Sequence, residues 1–302
     1  MADTSAFDPR ANPKATVPIS IPSAISTPIG PTGFGAARRQ GAGWLFLTPA
    51  LLLLTVIGLP LMALVIRAVQ EGAFGRKLVS DYVFDALRLS AISTSVTLVV
   101  AVATGTPLAF ALARRRFRGR QLVETLVDLP LVLPPVVAGI ALLVAFGRRG
   151  LLGGELSALG ITLPFTLAAV ILAQIFVAVP FYVRSAKVGF AAVPREVEEA
   201  AALDGASAWR SFRDVTVPLA MPGIGAGMVL CWARALSEFG ATLLFAGNLR
   251  GTTQTMPLAI MGAFERSLGE ALALAVLLLT ISAAVLIATR SLGSEVDGSS
   301  AG

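Results

Sequence analysis

Six apolar stretches, each close to the ~20 residues a helix needs to cross a bilayer, constrain this chain most. Inside lipid a backbone must satisfy its own N–H and C=O groups, and a single segment does so as a helix. The stretches run about Trp44–Ile66, Ile92–Ala113, Leu126–Phe146, Pro164–Tyr182, Leu219–Ala246 and Ala271–Ile287. The expected fold class is all-α: a polytopic membrane protein of about six transmembrane helices. No soluble domain fits between the spans. The fifth stretch is long and polar in places, and is expected to end in an irregular outer segment.

Charge is scarce where a soluble domain would carry it. Charged residues make up 14% of the chain, against about 25% in soluble domains. The single cysteine, Cys231, allows no disulfide within the chain, and with no histidine there is no Cys/His metal framework. No cofactor is expected. A net charge of +6 could suit nucleic acid, but the Lys and Arg residues cluster beside the spans, which makes them topology signals instead. No nucleic-acid partner is expected.

Residues 1–40 are rich in Pro, Ser, Thr, Ala and Gly without a helical or strand period, and read as a disordered N-terminal tail. Residues 41–290 form the expected transmembrane domain and 291–302 a short polar C-terminal tail. With the N-terminus inside, fifteen Lys and Arg fall on the inner side, including Arg114, Arg115, Arg116, Arg118 and Arg120. Eight fall outside, among them Arg148, Arg149, Arg250 and Arg266, with Arg234 left within the fifth span. The bias places both termini in the cytoplasm of a multi-pass protein of the cytoplasmic membrane. The loop before span five lies there too.

That loop, about 186–218, reads Glu199-Ala-Ala-Ala-Leu-Asp-Gly205 and, after nine residues, Val215-Thr-Val-Pro218. Pro194 suits the first turn of a helix. Glu196, Glu198 and Glu199 favour the dipole at its N-terminus, and Ala200, Ala201 and Ala202 are strong helix formers. Gly205 suits a left-handed helix end, Ser207 to Arg213 a second short helix, and Pro218 the start of span five. A helix–turn–helix with a small-residue face can enter a groove on a partner. The spacing resembles the EAA loop of ABC importer permeases, EAA-x3-G-x9-I-x-L-P, with Val215 and Val217 in place of Ile and Leu. The resemblance implies a coupling helix held by an ATP-hydrolysing subunit through Glu199, Ala200, Ala201 and Gly205. Asp204, Ser207 and Arg210 would be rim residues. The chain carries no Gly-x4-Gly-Lys-Ser/Thr phosphate loop. It is therefore expected to be a pore subunit and not an enzyme, with no catalytic residues, ATP being bound by the partner.

Two further stretches carry a closer resemblance. Span three contains Asp128-Leu-Pro-Leu-Val-Leu-Pro-Pro-Val-Val-Ala-Gly139. Span five contains Ala233-Arg-Ala-Leu-Ser-Glu-Phe-Gly-Ala-Thr-Leu-Leu-Phe-Ala-Gly-Asn248, followed by Thr253-Gln-Thr-Met-Pro-Leu-Ala259. Over roughly Ile92 to Ile287 the chain resembles the permeases of molybdate ABC importers, in the group that moves molybdate, tungstate and sulfate. Ser237 departs from the family's common Gly, and the N-terminal region is an addition. The resemblance implies a C2 homodimer, two ATPase subunits, an external molybdate-binding protein and uptake of molybdate or tungstate. A sulfate-branch permease is one alternative. A secondary transporter is another, with Asp128 and Glu238 as proton-coupling carboxylates.

Arg234 and Glu238 are four apart, so they share a helix face and can pair. Each charge costs about 2.5–3.5 kcal/mol at mid-membrane, so the pair is expected to face protein or a water-filled path. Two readings stand: an ion pair that fixes packing, or a pathway or gate element together with Thr242. Pro130, Pro134 and Pro135 remove backbone donors from span three and predict a kink, and Pro134 and Pro135 join the pathway candidates. Gly139, Gly240 and Gly247 are candidates for close helix approach.

Overall fold

The computed structural model describes residues 42–72 and 80–298. The tail predicted over 1–40 lies outside them, as do Arg76 and Lys77 of the first outer loop and the last four residues. The described residues are helical and turn structure with no strand. The helices are α1 (Ala42–Gln70), α2 (Asp81–Arg114), α3 (Arg120–Val132), α4 (Pro135–Phe146), α5 (Gly153–Ala158) and α6 (Leu167–Ala192). They continue as α7 (Arg195–Leu203), α8 (Ala208–Ser211), α9 (Val217–Leu236), α10 (Gly240–Ala246), α11 (Met256–Phe264) and α12 (Leu268–Gly298). A π-helical turn, Phe212–Thr216, joins α8 to α9.

Contacts divide the chain into one unit ending at Ile57 and another from Gly58 onward. The first contributes the opening turns of α1, whose Leu51, Leu52, Leu53 and Leu54 are all exposed, a surface suited to lipid. In the second unit α6 is the central helix. Val170, Ala173, Val177, Ala178, Tyr182, Ala186 and Gly189 recur at helical spacing and are buried. Small side chains on this stripe bring the neighbours close: a Cβ added to Gly223 of α9 would lie 2.4 Å from the Cα of Gly189. A polar knot ties α6 to both α2 and α9. Gln174 of α6 donates to Ser93 Oγ of α2 and to the Ala235 carbonyl of α9, both at 3.1 Å, and accepts from Thr97 at 3.0 Å.

The predicted kink in span three is a break. α3 and α4 meet at 119° across Leu133 and Pro134. Pro134 has no N–H and Pro135 opens α4, so the helical ladder cannot continue through them. The pair still follows the length of α6. Glu124 on α3 pairs with Lys187 near the end of α6, whereas Ala138 and Leu142 on α4 pack with Ala169, Val170 and Ala173 near its start.

Several helices exceed the predicted spans. α2 starts at Asp81, α6 runs on to Ala192 and α12 to Gly298. Arg88, Arg184 and Lys187, read as loop charges, are therefore on helices. Among the described residues five helices are long and apolar enough to cross a membrane, or six if the bent pair forms one span.

Candidate functional site

The sequence-predicted residues fall into two groups at different levels of the bundle. The first is the hairpin of α7 and α8. Val193 ends α6 and Pro194 is extended (φ −63°, ψ 138°), capping α7 from outside its first turn, one position earlier than predicted. Glu196 and Glu198 lie in the first turn of α7. The chain leaves α7 through Gly205 at φ 84°, and Ala206 N–H donates back to the Ala201 carbonyl at 3.0 Å. Ser207 caps α8 by accepting from Arg210 N–H at 3.3 Å. Pro218 sits in the first turn of α9.

On this hairpin Glu199, Ala200, Asp204, Gly205, Ser207, Arg210 and Pro218 are exposed and Ala201 is half-buried. Successive helix residues turn by about 100°, so Glu198 and Glu199 point in different directions, Glu198 half-buried and Glu199 exposed. Glu198 Oε1 accepts from Arg114 Nη2 at the end of α2 (3.1 Å) and from Thr216 Oγ1 in the π turn (2.8 Å). Arg114 also donates to the Val193 carbonyl at 2.7 Å. Beside this clamp an aromatic cluster runs inward from Trp209 to Phe212, and from Phe212 to Phe110 of α2 and Phe190 of α6, with ring centroids 4.9–6.1 Å apart.

Two apolar side chains of the hairpin are largely exposed, Trp209 being the outer end of the aromatic cluster. Leu203 is 89% exposed and Trp209 67%. Sequence reasoning passed over both, along with the clamp. Leu203 and Trp209, the bulky apolar residues on either side of the Gly205 turn, were the available signal.

The second group meets near the level of Gln174, roughly 27 Å along α6 from its hairpin end. Arg234 Nη2 lies 2.7 Å from Glu238 Oε2, with side-chain exposures of 24% and 1%. The contact is a Coulombic pair without hydrogen-bond alignment. α9 ends at Leu236, so the two do not share a helix face as predicted: Glu238 reaches back from the turn beyond. Its other oxygen accepts from Ala241 N–H at 2.8 Å and caps the first turn of α10. Thr242, one residue on, is fully buried and its hydroxyl has no partner. Pro134 and Pro135 are exposed at the α3–α4 break. A Cβ on Gly240 would stand 2.8 Å from Pro135, and one on Gly139 would stand 3.0 Å from Ala241. The broken span and the α9–α10 turn therefore touch. Gly247, at φ 75°, makes room for the ring of Phe165.

Asp128 lies 3.7 Å from Arg184 across α3 and α6. Both carboxylates considered for proton coupling thus face a guanidinium. Among the described residues no cluster of acidic, Cys or His side chains could hold a metal ion.

The family described as "Binding-protein-dependent transport system inner membrane component" matches residues 105–296. The molybdenum transport system permease protein ModB of Mycobacterium tuberculosis is 42% identical over 244 residues, covering 81% of this chain and 92% of the relative. ModB of Escherichia coli K12 is 37% identical, over 69% and 92% of the two chains. A probable molybdenum ABC transporter permease of Haloferax volcanii is 39% identical, over 86% and 95%. Among solved structures, a bacterial alginate ABC transporter in complex with an alginate-bound periplasmic protein aligns with a TM-score of 0.67, at 16% identity over 84% of this chain and 94% of that one. The inward-facing MetNI methionine ABC transporter aligns at 0.53, with 17% identity over 77% and 96%. These two likenesses show the fold.

Proposed function

Because the chain belongs to the binding-protein-dependent transport inner-membrane components, on the branch of the molybdenum transport permeases, we propose that it is the pore subunit of an ATP-driven importer of molybdate or tungstate. It is a multi-pass membrane protein and a transport component. The observation that carries the reading is the α7–α8 hairpin: its Glu199 face is exposed while its Glu198 face is bonded to the transmembrane helices.

In this reading Glu199, Ala200, Ala201 and Gly205 meet a separate ATPase subunit, with Asp204, Ser207 and Arg210 at the rim. Leu203 and Trp209 supply the apolar anchors that such an interface needs. Two copies of the chain form the pore as a C2 homodimer, each holding one ATPase. An external oxyanion-binding protein delivers substrate to the opposite face. Both termini and the hairpin lie in the cytoplasm, residues 1–40 being a tail and 41–290 the permease domain. ATP binds to the partner. When the ATPases close, the hairpins move together and the helices follow as rigid bodies. Arg234, Glu238, Thr242, Pro134 and Pro135 belong to the pathway or its gate.

Uptake of molybdate into proteoliposomes containing the permease, its ATPase and the binding protein tests this. ATP-dependent uptake is expected, and uptake that persists without ATP while an ion gradient is held would favour the secondary-transporter reading. Binding calorimetry of the partner binding protein with molybdate, tungstate and sulfate separates the substrates.

A further inference from the structure

We infer that Glu198, and not only its exposed neighbour Glu199, is needed for transport, as a positioning residue that fixes the ATPase-docking hairpin to α2 and to the start of α9. The inference rests on the docking reading above and deepens it. Three observations carry it. Glu198 Oε1 is shared between Arg114 Nη2 and Thr216 Oγ1, so one carboxylate oxygen joins three segments of the chain. The clamp is secluded: the Arg114 and Glu198 side chains are 11% and 23% exposed, and Thr216 is buried. In addition, Thr216 ends the π turn through which the hairpin passes into α9, an irregularity that leaves this junction without a regular α-helical ladder.

The two glutamates then divide the work. Glu199 faces outward, where a partner can reach it. Glu198 faces inward, where its charge-assisted bonds resist hinging of α7 about Val193 and Pro194. Arg114 holds both sides of that hinge, since it bonds the Val193 carbonyl as well as Glu198. Without the clamp, the Trp209–Phe212 contact with α2 and α6 would still seat α8, but α7 could swing before α2 and α9 moved. Closure of the ATPases would then be absorbed in the hairpin.

The test compares Glu198→Ala, Glu198→Gln, Thr216→Val and Glu199→Ala in proteoliposomes with the ATPase, the binding protein, ATP and molybdate. Glu198→Ala is expected to retain ATPase association and ATP hydrolysis. Molybdate moved per ATP should fall by about tenfold, the equivalent of losing one hydrogen bond to a charged group. Glu198→Gln and Thr216→Val should fall between it and wild type, and Glu199→Ala should lose association instead. In the permease alone, spin labels at Leu203→Cys and Phe117→Cys should give a narrow distance distribution that broadens in Glu198→Ala. Wild-type transport per ATP in Glu198→Ala, or loss of association equal to that of Glu199→Ala, would overturn the inference. If Glu198→Ala fails to fold, Glu198→Gln and Thr216→Val decide it, and unchanged transport per ATP in both sinks it. If the wild-type permease does not bind the ATPase, the docking reading fails, while the spin-label comparison still reports on the clamp.

Discussion

At Gly205 the backbone is held at φ 84°, and a Cβ built there meets nothing within 4 Å. Substitution should therefore act through backbone conformation alone. An L-residue in this region costs roughly 1–2 kcal/mol, Asn less, and a β-branched residue more. We expect ATPase association to decline in the order Gly, Asn, Ala, Val, with the detergent-solubilised permease folded throughout. A pull-down series that shows no order, or normal transport by Gly205→Val, contradicts this. Gly223 differs in kind. Its missing Cβ leaves space for the Gly189 backbone, which cannot move aside without shifting α6. Gly223→Ala should reach or exceed the 1–3 kcal/mol typical of overpacking, seen as a lower thermal midpoint in detergent. The first glycine was legible, because its place just after the Ala-rich helix predicted the left-handed turn that the backbone takes there. The second was not: Pro222-Gly-Ile-Gly-Ala-Gly227 offers three glycines, and only the crossing with α6 distinguishes them.

Among the elements, α9 and α10 carry the sharpest test of the charged pair. Arg234→Ala leaves Glu238 buried without its counter-charge, a loss of about 3–5 kcal/mol when one partner of a buried pair is removed. Because Glu238 also caps Ala241, its replacement by Ala would remove an acceptor from α10 as well. The informative double variant is therefore Arg234→Ala with Glu238→Gln, which keeps the acceptor and removes the charge. It should recover the size-exclusion profile and thermal stability lost in Arg234→Ala. If Arg234 gives positive potential to a passing dianion, uptake stays lost in the recovered protein. We expect that outcome, and near wild-type uptake would assign the pair to packing. The pairing was legible from spacing alone, but its geometry was not. Four residues along a helix and four residues across a helix end look alike in sequence, and the turn at Ser237 decides between them. Pro134 and Pro135 likewise announced a distortion without its size: the bend is 119° and Pro135 packs against Gly240 of the facing turn, a contact between distant segments that spacing does not show.

On the scale of the whole molecule, the direction of each helix follows from what its ends touch. Arg114 at the end of α2 bonds Val193 at the end of α6, so the two helices run parallel and finish together. The bent pair α3–α4 lies in the chain between them and is the candidate for a return across the same thickness. Apolar length showed the sequence segments that could cross; it could not show whether a pair bent this sharply crosses or re-enters, since both have the same composition. Cysteine labelling distinguishes the two. Phe117 and Leu151 flank the pair and are exposed, whereas Gly150, nearer the middle of the loop, would drive a Cβ to 2.5 Å from the Val144 carbonyl. Native Cys231 is buried and should stay silent. We expect Phe117→Cys to react with reagents confined to the cytoplasm and Leu151→Cys with reagents confined outside. Labelling of both from one side would make the pair re-entrant, and reversed labelling would place the Glu199 hairpin on the face no ATPase can reach. Because Arg114 and Glu198 are bonded, a label beside Arg114 reports the side of the hairpin too. The same two cysteines thus test both the crossing and the docking face.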